Sequence, residues 1–541
     1  MTAVRRDAGG AAWIAAGGVG LIAFGLCLWR LMPGVGFWDT AEFQMVLPVM
    51  GTAHPTGYPT YVLLGWLASL VLTPIGEPAF RINLLSAILV GVGAGLTVDL
   101  ARRLSGSLLL GIATGLGIAV TPIVWAIGTH ADPHALHFAL LVTIVWLLVR
   151  WEHARRGNPL DPAARPDHPR RADRWLLAAA VVTGLSTGNH SLTLLLGPPI
   201  ILYVFRVAPD TRHRRRFIAA CLAAAAIPAV LVRLEMPLRA GWFRAPFVYA
   251  DPSTWDGFWY VTLGQQFHGW VTNPLGDWPR RIDELTRLAG QQLGPLAPLI
   301  LIAFAVTAVR LPRYALLSGS AALITCFFNS IYPDGAIDRY YIGPAFFAWT
   351  WLAVLAATVV GGLVGSLADP GVRGPGPDRA RRLGSAGVLR VVAIVAAAAV
   401  LIAPSLVGLS QRARFVDRSE DRVAERWTDD VMTDLQPDAV VISWWSYSTP
   451  LWYGTIVEGR RPDILIIDDR NRVDLNLLDL DQVIDLYIAK RPVYVIRNDP
   501  AELTELAAHY TLSPLGSTTA TNVFRVNPTA AAVLPADGPG R

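Results

Sequence analysis

The chain has 541 residues, of which 53% are hydrophobic and only 16% are charged, and its formal net charge is +5. This composition excludes an ordinary soluble protein of that length and predicts a protein with many membrane spans. Only Lys490 is a lysine, and the arginines cluster in a few loops, so the basic residues indicate membrane orientation and no nucleic-acid partner. The cysteines lie inside apolar segments, and their spacing predicts neither a disulfide framework nor a zinc site.

About eleven apolar segments are long enough to form helical spans. In chain order they cover residues 11–32, 79–100, 107–128, 134–151, 175–189, 192–208, 217–236, 293–311, 314–331, 342–366 and 391–408. The arginine-rich loops fall on one side only if residues 57–73, which are also apolar, form a helix in the outer interface. This orientation predicts a multi-pass protein of the cell (plasma or inner) membrane with a cytoplasmic N-terminus.

The composition changes near residue 409, where short buried strands begin to alternate with helical patterns. Strands are predicted at 439–443, 463–467 and 492–496, and helices at 478–489 and 501–509. This alternation predicts a small parallel α/β domain. We therefore predict a transmembrane domain over 1–408, an extracytoplasmic α/β domain over 409–528 and a disordered tail over 529–541.

Two carboxylates and a histidine lie in the first outer loop, where a purely structural loop has little use for them. If Asp39 opens a helix, Glu42 follows three residues later on the same face, and His54 comes further along the loop. Such a pair can accept a hydroxyl proton or bind a cation. The alternative is an ordinary helix start with Asp39 as its N-cap.

A second outer turn combines histidines with a carboxylate. Asp132 precedes a proline and is therefore a good N-cap for the span that follows. His134 and His137 share one face of that helix, and His130 could join them as a metal ligand. The other interpretation is that Asp132 and one histidine line a polar cleft.

Three more outer segments carry polar side chains. Asn189 and His190 lie at a turn between spans, where His190 could cap a helix or bind a phosphate. Arg239 lies just beyond a span on the outer side, where its guanidinium suits a lipid phosphate, although headgroup contact is the alternative. Asp338 and Arg339 could pair with each other or line the cleft.

Aromatic residues are dense in the C-terminal region. They include Trp444, Trp445, Tyr447, Trp452 and Tyr453. These rings could form a sugar-stacking face, and packing at the membrane interface explains them equally well.

Five ordered motifs resemble those of a known family. They cover residues 39–42, 54–59, 188–190, 237–239 and 451–463. The motifs are similar to those of the multispanning family related to protein O-mannosyltransferases, whose eukaryotic members O-mannosylate extracellular domains. The resemblance runs from about residue 33 to residue 470. It implies the GT-C glycosyltransferase fold, a polytopic α-helical membrane protein.

The resemblance also implies a substrate class and roles for individual residues. The donor is a polyprenyl-phosphate sugar, with mannose expected, and the acceptor is a hydroxyl on a protein or glycolipid. Asp39 corresponds to the catalytic carboxylate, with Glu42 and His54 beside it. Independently of the resemblance, we expect the donor phosphate to bind Arg239, His190 and Arg339, and the substrate cleft to include Tyr58, Asp132, His134, Asn189 and Asp338. Residues 132–134 depart from the family pattern, in which Glu-Val-Tyr is expected, so the sugar or acceptor can differ.

The expected reaction is a single displacement with inversion, in which Asp39 is the general base. Membrane lipids are expected partners, and no cofactor is implied with certainty, although a divalent metal is possible. Two rival hypotheses are a lipid or solute transporter, or flippase, and a non-catalytic protein of envelope assembly. The chain shows no repeat of the kind that many transporters have, and the retained Asp39 and Glu42 argue against the second rival.

Overall fold

The computed structural model describes residues 2–160, 165–273, 276–332, 335–368, 377–469, 472 and 479–529. These residues form a mainly helical protein with one small sheet near the C-terminus, which confirms the predicted fold class. The predicted disordered tail lies outside the described residues apart from Thr529.

The first half of the chain is helical throughout. Its helices are α1 (Thr2–Trp29), α2 (Trp38–Val49), α3 (Pro59–Val71), α4 (Pro78–Ser105), α5 (Leu108–Ala119), α6 (Pro122–Ala126), α7 (Pro133–Arg156), α8 (Pro169–Thr187), α9 (Gly197–Val207), α10 (Arg215–Arg233), α11 (Glu235–Pro237) and α12 (Trp255–Leu263).

The second half adds helices and the sheet. Its helices are α13 (Trp278–Leu293), α14 (Ile300–Arg310), α15 (Pro312–Ser330), α16 (Ile342–Ala368), α17 (Pro377–Val407), α18 (Leu409–Phe415), α19 (Val423–Asp434), α20 (Trp445–Trp452), α21 (Leu480–Ile488) and α22 (Pro500–His509). The strands are β1 (Val440–Ser443), β2 (Leu465–Asp468), β3 (Val493–Ile496), β4 (Tyr510–Pro514) and β5 (Val523–Pro528). Short 3₁₀ or π segments cover Ser191–Leu196, Pro209–His213, Leu238–Trp242, Gln265–Trp270, Gly294–Leu299, Ile337–Tyr341 and Tyr453–Val457.

Seven helical segments of the described residues are long and apolar enough to cross a membrane. They are Gly10–Trp29, Pro78–Ser105, Pro133–Arg156, Arg215–Trp242, Trp278–Arg310, Ile337–Ser366 and Gly387–Val407. Shorter apolar helices cover Pro59–Val71, Leu108–Ala119 and Ser191–Val207. All of the segments predicted as spans fall mainly on helix. The helix at 59–71 is about 20 Å long at 1.5 Å per residue, shorter than the hydrocarbon core, and its interfacial position stays a prediction.

Small residues allow α1 and α4 to pack closely. A Cβ atom added at Gly20 would lie 2.9 Å from the carbonyl oxygen of Gly91, and one added at Gly95 would lie 2.7 Å from that of Ala16. Backbones this close leave no room for larger side chains. The close approach is typical of helix pairs in membranes, where packing rather than the hydrophobic effect stabilises association.

The C-terminal region contains a five-stranded sheet with the strand order β2-β1-β3-β5-β4. The three predicted strands are confirmed as β1, β2 and β3, and they pair in parallel. The expectation of an entirely parallel domain is wrong, because β5 pairs antiparallel with both β3 and β4. Residues 515–522 connect β4 directly to β5 without a crossover helix, and so short a connection joins antiparallel strands.

Candidate active site

The loop that carries Asp39 is fixed by a buried amide network. The Gln44 side chain accepts from the backbone N–H of Gly36 at 2.9 Å and donates to the Asn83 Oδ1 atom at 2.8 Å. Asn83 Oδ1 also accepts from the backbone N–H of Ala131 at 2.8 Å. Gln44 and Asn83 are fully buried. They therefore hold the loop between α1 and α2 and the turn before α7 in one arrangement.

Asp39 lies at the start of α2, half-buried, between a cation and an indole. Its Oδ2 atom is 3.5 Å from Arg339 Nη2, and its Oδ1 atom accepts a hydrogen bond of 3.2 Å from Trp445 Nε1. Desolvation raises the pKa of Asp39, but the charges of His54 and Arg339 outweigh it, so the pKa lies below its ordinary value. Asp39 is thus ionised at neutral pH. It does not cap α2, because the N-cap residue is Phe37.

Glu42 and His54 form a contact pair beside Asp39. His54 Nδ1 lies against Glu42 Oε2, and the His54 backbone N–H donates to Glu42 Oε1 at 2.6 Å. Burial raises the pKa of Glu42, and the His54 charge offsets only part of that rise. On the other side of the ring, Tyr58 Oη lies 3.3 Å from His54 Nε2. Glu42 therefore orients His54, whose ring lies against Tyr58.

Asp132 has both of the roles expected from its sequence context. It caps α7, since its Oδ1 atom accepts from the His134 backbone N–H at 2.8 Å, and the same atom lies 2.8 Å from His134 Nδ1. Its Oδ2 atom is 3.2 Å from Arg339 Nη1. Although burial raises the pKa of Asp132, His134 and Arg339 lower it well below its ordinary value. Arg339 thus bridges Asp39 and Asp132.

The expected site residues divide into those around one pocket and those outside it. The central pocket has a volume of about 330 Å³. Its lining includes Asp39, His54, Tyr58, His134, His190, Tyr249, Trp270, Arg339, Tyr340 and Trp445. The His190 ring centroid is 4.7 Å from that of His134. Within the described residues, His134 Nε2 and Arg339 Nε are buried without a hydrogen-bond partner, which leaves these atoms for a ligand.

Five expected site residues lie outside the lining of the central pocket, namely Glu42 and Asp132, which contact its lining as described above, and Arg239, Asn189 and Asp338. Arg239 donates to the backbone carbonyls of Met50 and Val49 at 2.9 and 2.8 Å, so it holds the end of α2. Asn189 is buried and donates to the Pro133 carbonyl at 3.0 Å, which ties the end of α8 to the start of α7. Asp338 is exposed.

A larger cavity of about 1600 Å³ lies next to the central pocket, and Arg339 lines both. We call it the apolar cavity, since most of its wall is aliphatic or aromatic. Its lining includes Met32, Phe37, Ile123, Ile127, Pro295, Val400, Val407 and Phe415 among the apolar residues, and His130, Asp132, Asp338, Arg412 and Arg418 among the polar ones. Arg339 therefore lies between the aromatic-lined central pocket and the larger apolar cavity.

The group that could hold a metal ion differs from the histidine cluster considered in the sequence. Among the described residues, potential ligand atoms of Asp39, Glu42 and His54 lie within 4.8 Å of one another, whereas His130, His134 and His137 form no such group with Asp132. Two carboxylates and an imidazole suit a divalent transition metal.

Sequence reasoning missed the partners that come from distant parts of the chain. Trp445 contacts Asp39 from 406 positions away, and Gln44 and Asn83 carried no motif. An Asn at the outer end of an apolar span is the one signal that could have marked Asn83.

The N-terminal part of the chain is similar to known O-mannosyl-transferases. Residues 39–213 match the model of the protein O-mannosyl-transferase TMEM260 N-terminal domain. The chain is 29% identical over 238 residues to the mouse (Mus musculus) protein O-mannosyl-transferase TMEM260, which covers 43% of this chain. The match spans only 31% of the length of the mouse protein.

The whole fold is similar to that of a solved bacterial protein. ArnT from Cupriavidus metallidurans, in the structure bound to undecaprenyl phosphate, superposes with a TM-score of 0.61 at 15% identity over 97% of this chain and 99% of ArnT. Its apo structure gives a TM-score of 0.57 at 15% identity, over 98% and 100% of the two chains. The chain thus has the GT-C fold of ArnT, and the resemblance of its N-terminal region to the O-mannosyl-transferases is confirmed.

Proposed function

We propose that this protein is a membrane glycosyltransferase that moves a sugar, mannose, from a polyprenyl-phosphate carrier to a hydroxyl of a protein or glycolipid. The observation that carries the proposal is the ionised Asp39 carboxylate in the central pocket, held by Arg339 and Trp445 next to the Glu42–His54 pair. The similarity to a protein O-mannosyl-transferase supports mannose as the sugar.

Asp39 is the general base in this proposal. It accepts the proton of the acceptor hydroxyl while that oxygen attacks the anomeric carbon, and the bond from that carbon to the phosphate oxygen breaks in the same step. Attack from the face opposite the leaving group inverts the anomeric centre. The lowered pKa of Asp39 supports this role, because the carboxylate is already free of a proton when the acceptor enters. Glu42 and His54 orient the sugar or the base.

Arg339 and His190 bind the donor phosphate in this proposal. Negative charge grows on the leaving phosphate in the transition state, so a fixed guanidinium there stabilises it. The position of Arg339 between the central pocket and the apolar cavity supports a carrier whose sugar enters the pocket and whose polyprenyl chain lies in the cavity. The undecaprenyl phosphate bound to the similar ArnT supports a carrier of this class. Tyr58, Asp132 and His134 shape the sugar site, and Asn189 and Asp338 lie at its periphery.

The expected orientation and domain division belong to the same proposal. The pocket opens to the outer side of the cell membrane, residues 1–408 carry the catalytic core, and residues 409–528 form an extracytoplasmic domain. The arginine-rich loops at the opposite ends of the helices support this orientation.

The proposal is tested in a strain that lacks the gene. Mass spectrometry of its surface proteins and glycolipids should show a hexose missing from at least one acceptor. The wild-type gene should restore that hexose, and the Asp39→Asn gene should not. An unchanged set of glycosylated proteins and lipids in the deletion strain would count against the proposal.

A further inference from the structure

The carboxyl ends of two strands in the C-terminal sheet border a cleft that the proposed mechanism does not use. The side chains of Val441 and Tyr494 pack with α19 and α20 on one face of the sheet. Those of Ile442 and Val495 pack with α21 and α22 on the other face. The helix after β1 is α20 and the helix after β3 is α22. The connections that leave these two neighbouring strands therefore lie on opposite faces of the sheet.

In an open α/β sheet such a switch in direction leaves a crevice at the carboxyl ends of the two strands, and ligands bind there. A cleft of about 560 Å³ lies at this place, within the range of small-ligand sites. We call it the outer cleft. Its lining consists of Trp444, Trp445, Ser446 and Tyr447 after β1, Asn498, Asp499 and Glu502 after β3, and Trp38, Gln266 and Trp270 from the membrane region.

Three of the five aromatic residues that line the outer cleft have exposed side chains, whereas Trp445 and Tyr447 pack against other rings. The residues Trp38, Trp444 and Trp270 are 61%, 40% and 39% exposed. The buried Arg497 guanidinium lies 5.9 Å from the centroid of the Trp444 ring, and Asn498 Nδ2 donates to Tyr447 Oη at 2.8 Å. Trp38 also has a φ of 58°, a left-handed conformation that bulky residues seldom adopt.

The polar groups of the cleft favour a neutral, hydroxyl-rich ligand. Carboxylates and amides such as Asp499, Glu502 and Asn498 accept hydrogen bonds from hydroxyls, while indole faces attract the C–H edges of a sugar ring. Asp499 also caps α22, and Glu502 pairs with Arg497 at 3.1 Å, so these three groups together carry a net negative charge, which disfavours insertion of the rings into an anionic membrane surface. A peptide has no sheet edge to extend here, because β1 and β3 are both internal strands.

The outer cleft continues into the central pocket. Gln266, Trp270 and Trp445 line both spaces, and Trp445 donates its hydrogen bond to Asp39. We propose that the outer cleft binds a sugar unit of the acceptor, so that the acceptor is a glycan or glycoconjugate whose next hydroxyl reaches Asp39. The assignment of the bound sugar to the acceptor rests on the proposed function. The prediction of a carbohydrate-binding site rests only on the residues of the outer cleft.

Binding is measured on the full-length protein in nanodiscs without any donor. The probes are mannotriose, cellotriose and chitotriose, with a Ser/Thr-rich peptide for comparison, and saturation-transfer-difference NMR gives the dissociation constants. We expect at least one trisaccharide to bind the wild type and Trp444→Ala to weaken it by about tenfold or more. Asn498→Ala, at an exposed position, should also weaken trisaccharide binding. This second variant keeps the test decisive if Trp444→Ala fails to fold. Trp255→Ala is the matched control, since Trp255 is 75% exposed and lines none of the three cavities described here.

The outcomes separate the two proposals. A trisaccharide that binds the wild type and the Trp255→Ala variant alike, and that is lost from the Trp444→Ala and Asn498→Ala variants, supports the carbohydrate site. Binding of no trisaccharide, equal binding by the Trp444→Ala variant, or binding of the peptide alone overturns it. Consumption of polyprenyl-phosphate mannose by the wild type is measured separately and decides the proposed function without reference to the cleft.

Discussion

Acidic groups lie at both ends of the helical core, and they have different surroundings. At one end Asp99 binds Arg102, Arg103 and Trp146, and Glu152 binds Arg313 and Tyr203. None of these residues lines the three cavities described above.

At the other end Asp39 and Asp132 share one arginine, Arg339, which faces the central pocket. Charges that satisfy one another inside the protein stabilise it. Charges that remain partly unsatisfied beside a cavity can act on a ligand. We therefore expect the charged groups at the Asp99 end of the core to stabilise the fold, and those at the Asp39 end to act on a ligand.

Removing the charge of Asp39 should have the largest effect on turnover. Asp39→Asn keeps the shape and the hydrogen bond from Trp445 but cannot accept a proton, so kcat should fall about 100-fold or more. Turnover is measured on purified protein with polyprenyl-phosphate mannose, and the melting temperature serves as the folding control. Turnover by the variant near the wild-type level would mean that Asp39 is not the base.

Substitutions of Arg339 and Arg239 should distinguish a loss of donor binding from a loss of stability. Arg339→Gln removes the guanidinium that faces the pocket and that stabilises the leaving phosphate in the proposed reaction, so kcat should fall and the donor KM should rise, each by about tenfold or more. Arg239→Gln is the matched control, because Arg239 binds backbone carbonyls of α2, and its loss should lower stability and leave the donor KM unchanged. A higher donor KM for Arg239→Gln together with an unchanged donor KM for Arg339→Gln would show that Arg239 binds the phosphate.

A charge removed from the opposite end should affect stability alone. Asp99→Asn breaks contacts with two arginines, and the free energy of unfolding should fall by about 2 kcal/mol. Turnover per folded molecule should stay at the wild-type level, as measured by activity after correction for the folded fraction. A large loss of turnover in the folded fraction would remove the distinction between the two ends.

The smallest expected effect is a shift in pH dependence. Asp39 must be ionised to act, so activity is lost as the pH falls through its lowered pKa. Trp445→Phe deletes a hydrogen bond that lowers this pKa, so the acid limb of kcat/KM should move to higher pH. Trp452→Phe, a neighbouring ring without a contact to Asp39, should leave the limb in place. An acid limb that Trp445→Phe leaves unmoved would show that another group controls it.

The sequence predicted the helical spans and the first three strands, because hydrophobic period and span length act locally, but it did not predict α12, α13 or α19. It also predicted that Asp39, His54, His134, His190 and Arg339 lie together, and all five line the central pocket. It did not predict that β4 and β5 are antiparallel, which depends on how the chain returns to the sheet.

The contacts of Arg239 show why the remaining details of the site could not be predicted from the sequence. Its place beyond a span suggested a phosphate ligand, but its guanidinium donates to carbonyls about 190 positions earlier in the chain. Trp445 reaches Asp39 over an even larger separation. Such contacts follow from the tertiary packing of distant segments, and no local pattern encodes them.

The most direct test of the central claim is the release of free polyprenyl phosphate by the purified protein from polyprenyl-phosphate mannose. The acceptor is a membrane extract from the deletion strain, and the wild type is compared with Asp39→Asn and Asp99→Asn. We predict acceptor-dependent release by the wild type and by folded Asp99→Asn, and none above background by Asp39→Asn. Release by Asp39→Asn at the wild-type rate, or an intact donor with the wild type, would contradict the account.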